Sequence, residues 1–269
     1  MSKGVLLFAS NNSTTRYTDL AEVCARRCKK HLGVPVSVVS STPSEIKHSE
    51  VFDKIISIPE SSQTQLRTFK DGTAEVVSEW KNFSRGYSWD LTPYDETLVI
   101  DVDYFLYTDV LNYCFNQESE LVVSKYSQDL SFWRDQKEFN TLGITQIDFY
   151  WATVFFFKKT EDTKVFFDYI KHIEQNWTYY KYQYQFSSRL FRNDFAFSIA
   201  AHELSGLVTP LPFKLHYLTD CDVVLSVTDD YCKTLIQKKN KPSEYVISDI
   251  RDVDIHIMNK LALERLINV

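Results

Sequence analysis

No apolar run in this chain is long enough to cross a bilayer, and no C-x-x-C pair occurs among its five cysteines, at positions 24, 28, 114, 221 and 232. The first absence argues against a membrane span. The second, with the odd count, suits reduced thiols in a cytosolic compartment. An excess of basic charge is also missing: the formal net charge of −6 argues against a uniformly basic, nucleic-acid-coating surface and leaves room only for a local patch. There is no internal repeat, low-complexity tract or linker, so the 269 residues are expected to form one domain. What is abundant is core material, 44% hydrophobic and 15% aromatic, ample for a large α/β core. The opening Met1-Ser2-Lys3-Gly4-Val5-Leu6-Leu7-Phe8 reads as a short strand rather than a secretion signal, which predicts a soluble, cytoplasmic protein.

The most informative segment is Leu98-Val99-Ile100-Asp101-Val102-Asp103. A short aliphatic run of this kind suits a strand covered on both faces, and open α/β sheets place ligands at the carboxyl ends of such strands. Alternate side chains of extended backbone share a face, so Asp101 and Asp103 can meet one hard divalent cation. Two further D-x-D patterns, Asp220-Cys221-Asp222 and Asp252-Val253-Asp254, follow no comparable strand.

Periodicity orders the rest. Strands are expected at 5–9, 35–40 and 54–58, with a helix over 17–31 whose last turn gathers Arg26, Arg27, Lys29 and Lys30 where the macrodipole favours cations. Cys24 and Cys28 lie one helical turn apart. Residues 75–83 are read as a helix, stopped by the stretch through Gly86 and Pro93. Strands follow at 121–124 and 152–157, separated by an irregular polar segment, 127–146, expected to be a flap or insertion. A long, broken helix is predicted over 160–186. Its Trp177, Tyr179, Tyr180, Tyr182, Tyr184 and Phe186 are too dense for one core face and leave rings for a stacking surface. Asn193 is read as the N-cap of a helix over 194–204, which puts Asp194 in the first turn. Mixed strands near 223–227 and 245–250 precede Asp254-Ile255-His256-Ile257-Met258-Asn259-Lys260 and a short terminal helix.

This order of parts resembles the GT-A glycosyltransferases, closest in layout to their metal-dependent, glycogenin-like and galactosyltransferase-like group, over nearly the whole chain. The resemblance implies an α/β fold: a single GT-A (Rossmann-like) domain, with a mainly parallel central sheet flanked by helices and a smaller mixed C-terminal part. Residues 1–105 would form the nucleotide-binding half and 106–269 the half that binds acceptor and completes the metal site. It implies a Mn²⁺ or Mg²⁺ cofactor held by Asp101, Asp103 and His256, neutralising charge on the departing nucleotide, with Lys260 on phosphate. Donor contacts fall by resemblance on Ala9, Asn11 and Asn12 of the first loop, on Tyr17 stacking against the base, and on Arg85, whose guanidinium suits a bidentate phosphate contact; Lys81 is an alternate. Asp101 also borders the donor, and Trp151, Ala152 and Thr153 would line the sugar pocket. Where the family's loop usually carries an aspartate, this chain has asparagine.

Phe191-Arg192-Asn193-Asp194-Phe195-Ala196-Phe197 resembles the segment carrying the family's pocket acid. Asp194 would act either as a general base or, below the anomeric carbon, as a stabiliser of positive charge in a retaining reaction. The implied activity is sugar transfer from a nucleotide sugar, a UDP-sugar by analogy, to a hydroxyl acceptor. The segment Trp80-Lys81-Asn82 and Leu91-Thr92-Pro93-Tyr94-Asp95-Glu96 through Asp103 is similar to glycosyltransferases of large tailed phages, some of which decorate hydroxymethylcytosine in DNA. Hydroxymethylated DNA, in the host cytoplasm if the chain is phage-encoded, is therefore an expected acceptor beside a glycan or small molecule; Lys238, Lys239, Lys241 and the tyrosine-rich segment are candidate contacts for it, with ordinary solvated loops an equal reading of the same residues. Two other classes compete. One is a sugar-nucleotide-binding protein without turnover, distinguished by donor hydrolysis. The other is a D-x-D phosphotransferase, in which the first aspartate is a nucleophile near the start of the fold, followed by a small turn; here Tyr104-Phe105 follow a central motif.

Overall fold

The computed structural model describes residues 1–60, 65–81, 84–131, 139–186 and 190–267. Its centre is a seven-stranded sheet in the spatial order Thr209–Pro210, Leu121–Ser124, Trp151–Lys158, Glu96–Ile100, Lys3–Phe8, Val36–Ser40, Lys54–Ser57. The last four strands run parallel to one another, and Trp151–Lys158 is antiparallel to both its neighbours. The strand ending in the first D-x-D lies at the middle, with Leu7 and Val154 flanking Ile100. Its run Leu98, Val99, Ile100 is buried because helices cover both sheet faces.

One cover is the helix Tyr17–Leu32, which buries Leu20, Ala21, Cys24, Ala25 and Cys28 and ends at Gly33 in the left-handed conformation. The other is Glu161–Gln175 with Asn193–Glu203, whose Phe167 and Phe197 pack on Phe157 and Phe155 at ring-centroid distances of 4.7 Å. Thr160 caps the first of these helices through a reciprocal pair of hydrogen bonds with Thr163. The predicted long helix breaks at Asn176 and resumes as Trp177–Gln183.

A second sheet of four short strands, in the order Tyr104–Phe105, Ile255–Ile257, Leu215–Leu218, Ser127–Asp129, brings the C-terminal segment beside the D-x-D. His256 pairs with Tyr104 on one side and Tyr217 on the other, and the Ile257 N–H donates to the Asp103 carbonyl at 2.9 Å. The mixed C-terminal part is a three-stranded antiparallel sheet, Val223–Val227, Tyr231–Lys238 and Lys241–Arg251.

Three expectations are corrected. Residues 75–80 are not helical: Gln65–Asp71 and Ala74–Trp80 form an antiparallel hairpin, while 82–83 lie outside the described residues. Val76, Ser78 and Trp80 face inward and Glu75 and Val77 outward, a period of two, and Gly72 at φ +63° permits the two-residue turn. Asn193 is not the cap. It is the first helical residue, and extended Arg192 precedes it without a side-chain capping bond. Finally, the polar segment 127–146 contributes a strand to the four-stranded sheet and a small hairpin, Thr141–Leu142 with Ile147–Asp148; 132–138 lie outside the described residues.

Candidate active site

The D-x-D carboxylates and the C-terminal histidine converge. One ligand atom from each of Asp101, Asp103 and His256 lies within 4.8 Å of the others. His256 Nε2 stands 3.4 Å from Asp103 Oδ2 and 3.9 Å from Asp101 Oδ2, is buried, and makes no hydrogen bond among the described residues. A buried imidazole nitrogen aimed at two carboxylates, without a hydrogen bond of its own, fits a metal ligand better than a satisfied core histidine. The two-oxygen, one-nitrogen donor set suits Mn²⁺ or Mg²⁺ with further oxygens from a phosphate.

Two cations complete the cluster. Arg85 pairs with Asp101 Oδ1, and Lys260 Nζ lies 2.6 Å from Asp103 Oδ2. Burial opposes ionisation of Asp103, but Lys260 and His256 outweigh it and hold the carboxyl well below the ordinary carboxylate range. Burial would likewise lower Lys260, and Asp103 overrides it, keeping the ammonium charged. Lys260 is delivered by the start of the helix Lys260–Ile267, which is oriented by Asn259: its Oδ1 accepts from the Ala262 N–H at 2.9 Å and its amide donates to the Asp222 carbonyl at 2.8 Å.

These groups line a cavity of about 570 Å³. Tyr17, Arg85, Asp101, Asp103, Trp151, Thr153, Asp194, His256 and Lys260 all border it. Asp194 Oδ1 accepts from the Ala152 N–H at 2.9 Å and Oδ2 from Arg192 at 2.8 Å. Although burial opposes its ionisation, Arg192, the Ala152 amide and Arg85 together lower its pKa. Ala152 acts there through its backbone and does not line the cavity. Trp151 is buried against Phe139 and Tyr217, and its indole N–H has no partner among the described residues.

The first-loop residues are placed otherwise. Ala9 is buried in the core. The Asn11 amide donates to Thr18 and Glu45, and Asn12 Oδ1 accepts the Thr14 and Thr15 N–H groups, so these side chains brace the turn and none of the three borders the cavity. Lys81 pairs with Glu60 and Glu79. The other two D-x-D patterns are engaged elsewhere: Asp222 accepts from Thr219 and Gln237, and Asp254 Oδ1 from the Tyr107 and Thr108 N–H groups. Of the tyrosine-rich segment, Tyr180, Tyr184 and Phe186 are buried and Tyr179 and Tyr182 exposed. Lys238 and Lys241 pair with Glu244.

The cavity also contains residues that sequence reasoning passed over. The hairpin contributes Arg67 and Trp80, with the guanidinium 3.4 Å from the ring centroid. The segment before the pocket acid contributes Arg192. The Asp71-Gly72 turn pair, with Gly72 at φ +63°, is the signal that could have found the hairpin.

Among solved structures, the galactosyltransferase LgtC, determined with donor and acceptor sugar analogues, is similar at a TM-score of 0.50 and 12% identity, over 77% of this chain and 72% of LgtC. The chain has the GT-A glycosyltransferase fold. Two further GT-A structures align at lower scores. The glycosyltransferase GlyE of Streptococcus pneumoniae TIGR4 has a TM-score of 0.45 at 13% identity, over 79% of this chain and 46% of GlyE. Mouse xyloside xylosyltransferase 1 has 0.46 at 13%, over 78% and 85%. The chain thus spans less than half the length of GlyE. No protein-family model and no curated protein matches the sequence. Among the described residues of this GT-A fold, no helix is long and apolar enough to cross a membrane.

Proposed function

We propose that the protein is a metal-dependent glycosyltransferase that moves a sugar from a nucleotide sugar, a UDP-sugar in the first instance, to a hydroxyl acceptor. The observation that carries this reading is the meeting of Asp101, Asp103 and His256 at the end of a central strand, in the cavity shared with Asp194. Residues 1–105 would supply the nucleotide side, with Tyr17 against the base, and residues 106–269 would complete the metal site and receive the acceptor. Asp101, Asp103 and His256 would hold Mn²⁺ or Mg²⁺, which supplies charge neutralisation for the leaving diphosphate.

The chain's own residues then have separable tasks. Lys260 and Arg85 provide fixed positive charge for phosphate oxygens. In the transfer, the bond between the anomeric carbon and the diphosphate oxygen would break, its electron pair leaving with the nucleoside diphosphate, while the acceptor oxygen bonds to that carbon and passes its proton to the departing diphosphate oxygen. Asp194 suits electrostatic stabilisation of the positive charge that develops on the sugar. A general base works best with a pKa near the operating pH, whereas both oxygens of Asp194 are engaged and its pKa is lowered.

The test is calorimetric titration of UDP with and without Mn²⁺, followed by mass spectrometry after incubation with UDP-sugars and hydroxymethylated DNA, glycan or small-molecule hydroxyl acceptors. UDP affinity should require the metal, and Asp103→Ala should lose more than the roughly 10–100-fold typical of removing an outer-shell partner. Equal affinity in the variant, with and without metal, would sink the assignment.

A further inference from the structure

Among the described residues that border the cavity, one half-buried cation has no carboxylate paired with it. Arg67, Lys70, Arg85, Arg192 and Lys260 border it, against Asp101, Asp103, Asp194 and Asp220. Three of these cations are already matched: Arg85 by Asp101, Lys260 by Asp103 and Arg192 by Asp194. At the rim, the Asp220 carboxylate accepts the Lys70 backbone N–H at 3.2 Å, and the Lys70 side chain is exposed to solvent. A bound divalent metal adds two positive charges, and the diphosphate of a nucleotide sugar brings two negative ones. Arg67 is left over.

Its surroundings make that surplus consequential. The guanidinium carbon stands 3.4 Å from the Trp80 ring centroid, one Nη donates to the Phe191 carbonyl at 2.7 Å, and the buried Nε has no hydrogen-bond partner among the described residues. Among the described residues no carboxylate bonds to it. Burial, followed by repulsion from Arg192, pushes its pKa down to about 9, the direction expected of a cation lacking a counter-ion. Stacking on Trp80 and the carbonyl bond fix the plane of the fork, so its remaining donors are pre-oriented rather than floppy. A half-buried, oriented guanidinium with no carboxylate bonded to it, beside a ligand cavity, costs stability unless an anion meets it.

We propose that Arg67 forms an anion subsite for a carboxylate or phosphate on the substrate beyond the diphosphate, borne either by the transferred sugar or by the acceptor. This rests on the glycosyl-transfer reading and deepens it: the substrate pair is an acidic one. The hairpin Gln65–Trp80 is thereby a specificity element.

The experiment compares charged and neutral probes on the full chain with Mn²⁺. In the donor arm, UDP-glucuronate is titrated against UDP-glucose; in the acceptor arm, with UDP bound, glucose 6-phosphate against glucose. In one arm the charged probe should bind at least about tenfold more tightly, the scale of a charge-assisted hydrogen bond. Arg67→Gln should erase that preference while changing UDP affinity by less than about twofold, and Arg67→Lys should retain part of it. Should Arg67→Gln fail to fold by thermal melting, Arg67→Met, which keeps the stem on Trp80, carries the same comparison. Normal metal-dependent UDP binding with no charge preference in either arm, or a preference that survives in Arg67→Gln, overturns the subsite alone. Absence of metal-dependent UDP binding in the parent overturns the glycosyl-transfer reading and the subsite with it.

Discussion

Asp103, Asp222 and Asp254 occupy the same place in three D-x-D patterns, and their partners separate them. Asp222 and Asp254 accept backbone N–H groups, the ordinary way a buried carboxylate stabilises a turn. Asp103 instead faces the Lys260 ammonium and the His256 imidazole. The metal uptake proposed for this site would displace Lys260, and that needs side-chain partners that can move, which backbone amides cannot supply. Asp194 is likewise held by Arg192 and one amide, and the conservative change Asp194→Asn keeps its shape while losing the charge. We expect UDP and metal affinity to be preserved and turnover to fall by about 10²–10³-fold, the scale of removing one preorganised electrostatic contact. Single-turnover kinetics on the acceptor found by mass spectrometry checks this, and near-parental turnover would remove Asp194 from the chemistry.

Two elements give predictions of their own. The hairpin that carries Arg67 turns at Gly72, whose φ of +63° is unfavourable for other residues and where a Cβ would come 3.2 Å from Val223 Cγ2. Gly72→Ala should therefore cost about 1–2 kcal/mol, the left-handed penalty for an L-residue, read as a lowered midpoint in urea with an unchanged slope. The hairpin is also tied down by Asp71, which accepts two hydrogen bonds from Arg265 and one from Asn259. In the helix Glu161–Gln175, burial pushes Glu174 up to about 7. Its folded form holds a proton that the unfolded chain releases near the ordinary glutamate value, so between about pH 4.3 and 7 the native state binds more protons and stability falls as pH rises. The slope is at most about 1.4 kcal/mol per pH unit, and Glu174→Gln should flatten it in melts across that range.

At the scale of the molecule, the site is assembled from distant segments. Asp101 and Asp103 come from the turn that follows the central strand Glu96–Ile100, closed by the Tyr104 N–H donating to the Asp101 carbonyl at 2.9 Å rather than continuing as extended backbone, and His256 from a strand that pairs beside them; Tyr17, Asp194 and Lys260 come from three different helices. A ligand bridging such segments stabilises the whole fold by mass action. UDP and Mn²⁺ together at about 100 times their dissociation constant should add about 2.7 kcal/mol, raising the melting temperature by roughly 5–10 °C for a chain of this size. The rise should vanish in Asp103→Ala. An equal rise in that variant would show that nucleotide binds without this site.

The α/β order, the central strand, the D-x-D at its end and the terminal histidine are legible in the sequence because each rests on local pattern: a run of aliphatic residues, a period of 3.6, two carboxylates one residue apart. The hairpin over 65–80 was misread because Val76, Val77 and Trp80 sit among glutamates at a spacing that serves either helix or strand, and pairing with Gln65–Asp71 decides between them. Asn193 fails as a cap because backbone torsions at Arg192 end the extended segment one residue earlier than polarity suggests. The gathering of Arg67, Arg192 and Asp194 around one cavity has no local signature at all. Chain positions 67 and 192 become neighbours only when the hairpin packs against the Phe191 carbonyl, and the charge that results is a property of three-dimensional proximity, to which composition and spacing are blind.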